Sequence, residues 1–185
     1  MTTVITGTGL GLLNTSLSVL NGQGAVGNAN IGQGGSRAYV NGANGNLVIQ
    51  GQDEILIGQG LDVGIQRTYN SQGQFDGDNN DGWRIGVYKK LALSGTVNTA
   101  GSSVTRTDGD GNQSTYSYDA TSGKYLNKDG AGAYDTLSNT AGVWTWTDGD
   151  SRVTETYNSL GQLTQSRDAV GDAVVCWGEV GGDAA

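Results

Sequence analysis

The chain has no histidine and no proline. Without histidine, the Ser-His-Asp and Cys-His nucleophilic arrangements, His-containing zinc sites and haem–His ligation are all excluded. Without proline, collagen and Pro-rich linkers are excluded. Turns must instead be built from glycine, asparagine and aspartate, the residues that tolerate positive φ. The single cysteine, Cys176, cannot form an intrachain disulfide. In Val174-Val175-Cys176-Trp177 it reads as a buried strand thiol, with an intermolecular link or a reactive thiol as the alternative. No apolar run reaches the ~18 residues of a membrane-crossing helix, so membrane insertion is not expected. Met1-Thr2-Thr3-Val4-Ile5-Thr6 lacks the basic start of a secretory signal. Basic residues are also few, 10 against 18 acidic ones, for a net charge of −8. With no basic patch to release counterions, no nucleic acid partner is expected, and no anionic membrane surface either. Divalent cations are the partner class that an acidic chain favours.

Glycine is abundant, with 33 residues, whereas only 35% of the chain is hydrophobic. Trp83, Trp144, Trp146, Trp177 and the eight tyrosines must therefore supply much of the apolar area, at about 150–250 Å² each. At 185 residues the chain fits one domain with a loosely attached N-terminal segment.

Thr-Tyr-Asn-Ser-x-Gly-Gln occurs twice, at Thr68–Gln74 and Thr156–Gln162, and a degenerate copy runs from Ser117 to Leu126. Recurrence of a short unit signals a repeat architecture, and its residues read first as scaffold. The arm, residues 1–35, is glycine-rich. Within it Leu10–Leu20 reads equally as a short helix or a strand, and residues 21–35 read as a flexible linker or a flat glycine-rich strand. Residues 36–180 read as β. Ala38–Val40 and Asn46–Gln50 flank Asn41-Gly42-Ala43-Asn44-Gly45, whose Asn-Gly pairs favour primed hairpin turns. Ile55–Ile57 and Val63–Tyr69 read as two further strands, and Trp83–Tyr88 alternates and runs on through Leu93. Val104–Thr107 and Gln113–Tyr118 flank one Asp-Gly turn, and Val143–Thr147 and Val153–Tyr157 flank its copy 40 residues later. A last hairpin returns through Ala173–Trp177, and residues 181–185 read as a frayed tail. The fold class is all-β: antiparallel hairpin repeats in a twisted or curled sheet, with a glycine-rich N-terminal extension.

The unit Tyr157-Asn158-Ser159-Leu160-Gly161-Gln162-Leu163, followed by Asp168-Ala169-Val170-Gly171, resembles the tyrosine–aspartate (YD) repeat of the Rhs family. Tyr118-Asp119 through Gly123-Lys124-Tyr125-Leu126 resembles it with one inserted residue. Gly60-Leu61, Arg67-Thr68-Tyr69-Asn70-Ser71 and Gly82-Trp83 resemble the region just ahead of such repeats in large bacterial proteins. The resemblance covers about residues 36–178, and Gln162 replaces the family's arginine. It implies a β-sheet shell that spirals around a toxic C-terminal domain, or a role at the bacterial cell surface. It also implies that this chain is the N-terminal edge of a shell, an isolated fragment, or a small protein that uses the unit otherwise. The repeat scaffold would be Tyr69, Asn70, Gly73, Tyr118, Asp119, Gly123, Tyr157, Asn158 and Gly161. In such a unit the tyrosine ring fills a sheet face, Asn or Asp bonds the turning backbone, and glycine takes the positive φ.

Three groups of residues carry ligand expectations. Asp76, Asp78, Asn80 and Asp81 form the densest acidic cluster, with oxygens at the alternating spacing that suits Ca²⁺, although no glutamate stands at the twelfth position of that loop. Asp108, Asp110 and Asn112 repeat the spacing at a hairpin turn, and Asp148-Gly149-Asp150 does so beside Arg152. Trp144 and Trp146 share one sheet face, which makes them core or, if exposed, a platform for stacking glycans. The acidic pairs, Asp53-Glu54 among them, show neither the cleft nor the burial that a glycosidase needs. The expected function is therefore structural, not enzymatic: a module of a secreted or bacterial cell-surface protein, exported without a visible N-terminal signal. Its partners would be other copies of itself or the downstream part of a larger chain. One alternative is a fibre subunit whose arm adds a strand to a neighbour's open edge. The other is a carbohydrate-binding or adhesive module.

Overall fold

The computed structural model describes residues 3–5, 30–31, 36–41, 44–56, 63–72, 82–127 and 134–175. They are all-β. The first sheet holds β1 (Thr3–Ile5), β2 (Asn30–Ile31), β3 (Ser36–Asn41), β4 (Leu47–Leu56), β5 (Val63–Asn70) and β6 (Trp83–Ile85), in the order β1-β3-β4-β5-β6. Two pieces of the N-terminal arm share the outer edge of β3. β2 pairs antiparallel with Ser36 and Arg37, and β1 pairs parallel beside Tyr39–Asn41, the one departure from antiparallel order among the described strands. The arm's Leu10–Leu20 and the frayed tail lie outside the described residues.

The second sheet is a nine-stranded meander. It comprises β7 (Lys90–Ser94), β8 (Ser103–Thr107), β9 (Gln113–Asp119), β10 (Lys124–Leu126), β11 (Thr136–Thr140), β12 (Val143–Thr147), β13 (Thr154–Tyr157), β14 (Leu163–Arg167) and β15 (Ala173–Val175). Every neighbouring pair is consecutive and antiparallel. The alternation read from the sequence is the cause of its core, because period-2 side chains send one set to each face. Val104, Tyr116, Tyr125, Leu137, Trp144, Trp146, Tyr157 and Leu163 all fall on one face and form a single buried cluster with Leu91. That face is concave, so the sheet curls into a half-barrel around its own aromatic residues. The curl brings its first strand to the turn between its seventh and eighth: Leu91 N donates to Gly161 O at 2.8 Å, and Lys90 bridges Gln162. β15 lies beyond that seam as the terminal strand of the sheet.

Two expectations about strands are corrected. Ile55 and Leu56 do not begin a new strand; β4 runs on through them by a register shift between Gln52 and Glu54. Trp83–Leu93 is not one strand. The amide of Gly86 bonds Gln66 O and that of Tyr88 bonds Ile85 O, and this turn carries the chain from the first sheet into the second.

The turns follow one plan. Asp108, Asn158 and Asp168 each pair their backbone N–H with the carbonyl four residues on, and accept at their own carbonyl from a glycine three residues on. That glycine (Gly111, Gly161, Gly171) has φ of 84°, 77° and 103°. This is a type I turn closed by a left-handed residue, the three-residue hairpin loop. The Asx side chain adds its own bonds: Asn158 Oδ1 accepts from Leu160 N and Gln162 N, both at 3.0 Å, and Asp168 Oδ1 accepts from Val170, Gly171 and Asp172. Asp119 does the same for Thr121 and Ser122. The hairpin after β3 also departs from the expected primed turn: Asn41 opens it and Gly45, at φ 74°, closes it. Loss of the three Asn158 side-chain bonds, the third from Nδ2 to Gln162 Oε1 at 2.9 Å, is expected to cost about 1–2 kcal/mol in Asn158→Ala, read by urea titration. Asn158→Asp keeps the acceptor oxygen and should cost less than half of that.

Candidate functional site

The chain's only dense cluster of buried charge among the described residues lies where the curl meets itself. Lys89 stands at the approach to β7, Arg106 lies on β8, Asp108 opens the β8–β9 turn, and Glu155 and Tyr157 lie on β13. The Glu155 carboxylate is 2% exposed. Its Oε2 accepts from Arg106 Nη2 at 2.8 Å, Arg106 Nε at 3.1 Å and the Tyr157 hydroxyl, and its Oε1 accepts from Lys89 Nζ at 2.6 Å. Asp108 takes Lys89 Nζ at 3.1 Å and Arg106 Nη1 at 3.3 Å. The Arg106 guanidinium also lies 3.9 Å from the ring centroid of Trp146 on β12. Two cations and two anions are thus enclosed with no net charge, and each carboxylate has two cationic partners.

The electrostatics fix these charges in place. Burial alone would raise the pKa of Asp108 and Glu155, but Arg106 and Lys89 outweigh it and hold both carboxylates below their ordinary range. Burial would lower Lys89 and Arg106, and the two carboxylates more than offset that and raise both. Burial pushes the Tyr157 phenol far up, so it stays protonated and donates to Glu155. Both carboxylates and both cations are thus held in their charged forms, and the phenol in its neutral one. Next to it, Tyr116 accepts from Trp146 Nε1 at 2.9 Å and donates to Asp135 at 3.3 Å, and burial raises both Tyr116 and Asp135.

The residues singled out from the sequence fall as follows. Asp108, Asp110 and Asn112 lie together in the β8–β9 turn, with Asp108 and Asp110 engaged by protein partners. Asp108 is committed to Lys89 and Arg106, and Asp110 Oδ1 accepts from the Asn112 backbone at 2.9 Å. A dication there would have to compete with two protein cations for Asp108. The turn is buried because it docks on the first sheet: Asn70 Nδ2 donates to Asp110 O at 3.0 Å. No group of three or more acidic or sulfur side chains among the described residues could hold a metal. Asp76, Asp78, Asn80, Asp81, Gly73 and Cys176 lie outside the described residues. Asp148 caps its own turn through Asp150 N and Ser151 N, and Asp53 pairs with Arg67. Trp144 and Trp146 share a face as expected, but it is the inner one. They are 5% and 6% exposed, so they are core and not a glycan platform.

Among the scaffold residues, Tyr157 is fully buried, and Tyr118 is half-buried against Tyr125 at 5.1 Å between ring centroids. Tyr69 packs on Trp83 at 5.6 Å. Asn70, Asp119 and Asn158 serve turns, and Gly123 and Gly161 close those of Asp119 and Asn158. The sequence reasoning missed Lys89, Arg106 and Glu155. A signal was there: Glu155 stands two residues before Tyr157 and Arg106 two after Val104, so each had to share its neighbour's buried face and needed an opposite charge.

Residues 38–116 match the model of a family described as a domain of unknown function, DUF6531. The match runs from β3 into β9 and so crosses from the first sheet to the second. Lys89, Arg106 and Asp108 lie inside it; Glu155 and Tyr157 lie beyond it. No curated protein matches the chain.

Proposed function

We propose that this DUF6531-bearing chain is a non-catalytic scaffold segment of the Rhs/YD-repeat type, part of a secreted or bacterial cell-surface shell. The observation that carries the reading is the seam. A closed barrel would pair β7 along the length of β14; here one bridge joins the curl, at Lys90 and Gln162, and the meander continues past it into β15. A sheet of that form is a spiral to which further hairpins can be added. Its partners would be the next hairpins of a larger chain or other copies. The recurrent Tyr-Asx unit fits this role, because tyrosine fills the concave face while the Asx residue closes the turn. The fibre reading loses part of its motive, since β1 and β2 pair with the chain's own β3. The adhesive reading loses its platform with the burial of Trp144 and Trp146.

In a repeat scaffold each unit adds its own contacts to its neighbours. Duplicating residues 158–175 directly after Val175 should therefore give a chain that unfolds in one urea transition with a raised m-value, since m follows the surface exposed on unfolding. An insert cut by protease under conditions where the parent resists would overturn the proposal.

A further inference from the structure

The seam has little backbone holding it. Inside the second sheet each strand is secured by a ladder to its neighbours, from β7 through β15. Across the seam there is the amide of Leu91 on Gly161 and the bridge at Lys90. The other bonds spanning this distance belong to Glu155, whose partners Arg106 and Lys89 lie 49 and 66 residues back along the chain, and to the Tyr157 hydroxyl, which accepts from Arg106 Nε at 3.1 Å. We propose that Lys89 and Arg106 form a two-cation socket and that Glu155 is a latch seated in it, so that the curl can open at the seam while the sheet stays folded.

The groups facing the socket come from every wall of the curl. They are Lys89 before β7, Arg106 on β8, Asp108 in the β8–β9 turn, Tyr116 on β9, Asp135 ahead of β11, Trp146 on β12, and Tyr157 on β13. With Glu155 seated, the charges of Lys89, Arg106, Asp108 and Glu155 cancel. With it gone, Lys89 and Arg106 keep Asp108 as their ion-pair partner, and these three groups carry one net positive charge beside an empty carboxylate position. Closure is thus supplied by a removable side chain, whereas strand pairing is not. Because the socket recognises a carboxylate, a small free carboxylate should also be able to fill it.

Glu155→Gln is the direct test, read by amide hydrogen exchange. The Leu91 amide should exchange about tenfold faster or more, as for a local opening, while amides in β9–β12 keep their parent rates. Glu155→Ala leaves a space as well, and its melting temperature should recover in acetate in a saturable way but not in chloride of the same ionic strength. Lys89→Met, at the half-exposed rim of the socket, should give a smaller rise confined to the same amide. Unchanged Leu91 protection in Glu155→Gln would overturn the latch. So would an equal acceleration of all amides, or failure of the variant to fold, because either would make Glu155 a support of the whole sheet. Identical effects of acetate and chloride would overturn the socket.

Discussion

Arg106→Met should lower the stability of the chain by about 3–5 kcal/mol, the usual cost of stranding a buried partner charge. For a chain of this length that corresponds to roughly 10 °C in melting temperature. The guanidinium leaves Glu155 and Asp108 with Lys89 as their one remaining cation from the cluster, so one buried negative charge is uncompensated. The stacking on Trp146, at 3.9 Å, is lost as well. The cost should depend on pH in a defined direction. In the parent, both carboxylates have folded values below their ordinary ones. Their contribution is present above about pH 4–5 and is lost as the pH falls through the folded values. Lys89 and Arg106 lie above their ordinary values, so their contribution is full below about pH 10 and fades on the alkaline side. In Arg106→Met the carboxylates lose the cation that depressed them, so acid relieves the variant while it weakens the parent. The gap between the two should be widest near neutrality and narrow on acidification. Arg106→Met combined with Glu155→Leu removes one charge of each sign and leaves Lys89 with Asp108. That double variant should be more stable than Arg106→Met alone. Urea titrations monitored by tryptophan emission at pH 7 and pH 4 measure all of these. A single variant within about 0.5 kcal/mol of the parent, the range of an ordinary surface change, would show that the cluster carries no such load.

How much of this was legible follows from which interactions are local. The alternation Val143-Trp144-Thr145-Trp146-Thr147 was enough to give β12 and to place both tryptophans on one face. The Asp-x-x-Gly-x spacing was enough to place the hairpin turns, because an Asx side chain reaches only the backbone a few residues ahead of it. The split of Trp83–Leu93 into two sheets was not legible, since Gly86 bonds Gln66 O, across β5. β10 and β11 were also missed: Lys124–Leu126 is too short for a period to register, and Thr136–Thr140 has one apolar residue, Leu137. The ion cluster depends on the curl, which brings together residues 49 and 66 positions apart. No spacing rule encodes a curl, although the i, i+2 relation to Tyr157 and Val104 pointed to burial of Glu155 and Arg106. The aspartates of Asp108–Asn112 had a ligand's spacing and a different use, because the first sheet covers that turn.

Gly109→Ala should be a strongly damaging single-methyl change, at about 3 kcal/mol or roughly 8 °C. Asp-Gly at a hairpin suggests that the glycine is there for its backbone freedom, but Gly109 is not among the residues with positive φ; in this turn Gly111 is. Gly109 is required by proximity. A β-carbon there would stand 2.2 Å from Gly86 O and 2.8 Å from the Gly86 Cα, and these are backbone atoms that cannot rotate away. Gly86 is itself fixed by its amide bond to Gln66. The turn would have to back out of the first sheet, breaking the Asn70 bond to Asp110 O and exposing Asp108, Asp110 and Asn112, all buried in the parent. Asp108 would carry Lys89 and Arg106 with it, so damage at the junction of the sheets should spread to the seam. Two alanine controls separate proximity from conformation. Gly123 has φ of 68° and nothing within 4 Å of an added β-carbon, so Gly123→Ala should show only left-handed strain, about 1 kcal/mol. Gly149, the counterpart of Gly109 in the next repeat, would press on Tyr134 at 2.4–2.6 Å. Tyr134 is 83% exposed, with open space to move into, so Gly149→Ala should fall between the two. Limited proteolysis adds a second readout: Gly109→Ala should be cleaved in the first sheet, within residues 44–72, while the second sheet survives as a fragment. Equal melting temperatures for Gly109→Ala and Gly123→Ala would mean that the two sheets are not locked through this turn.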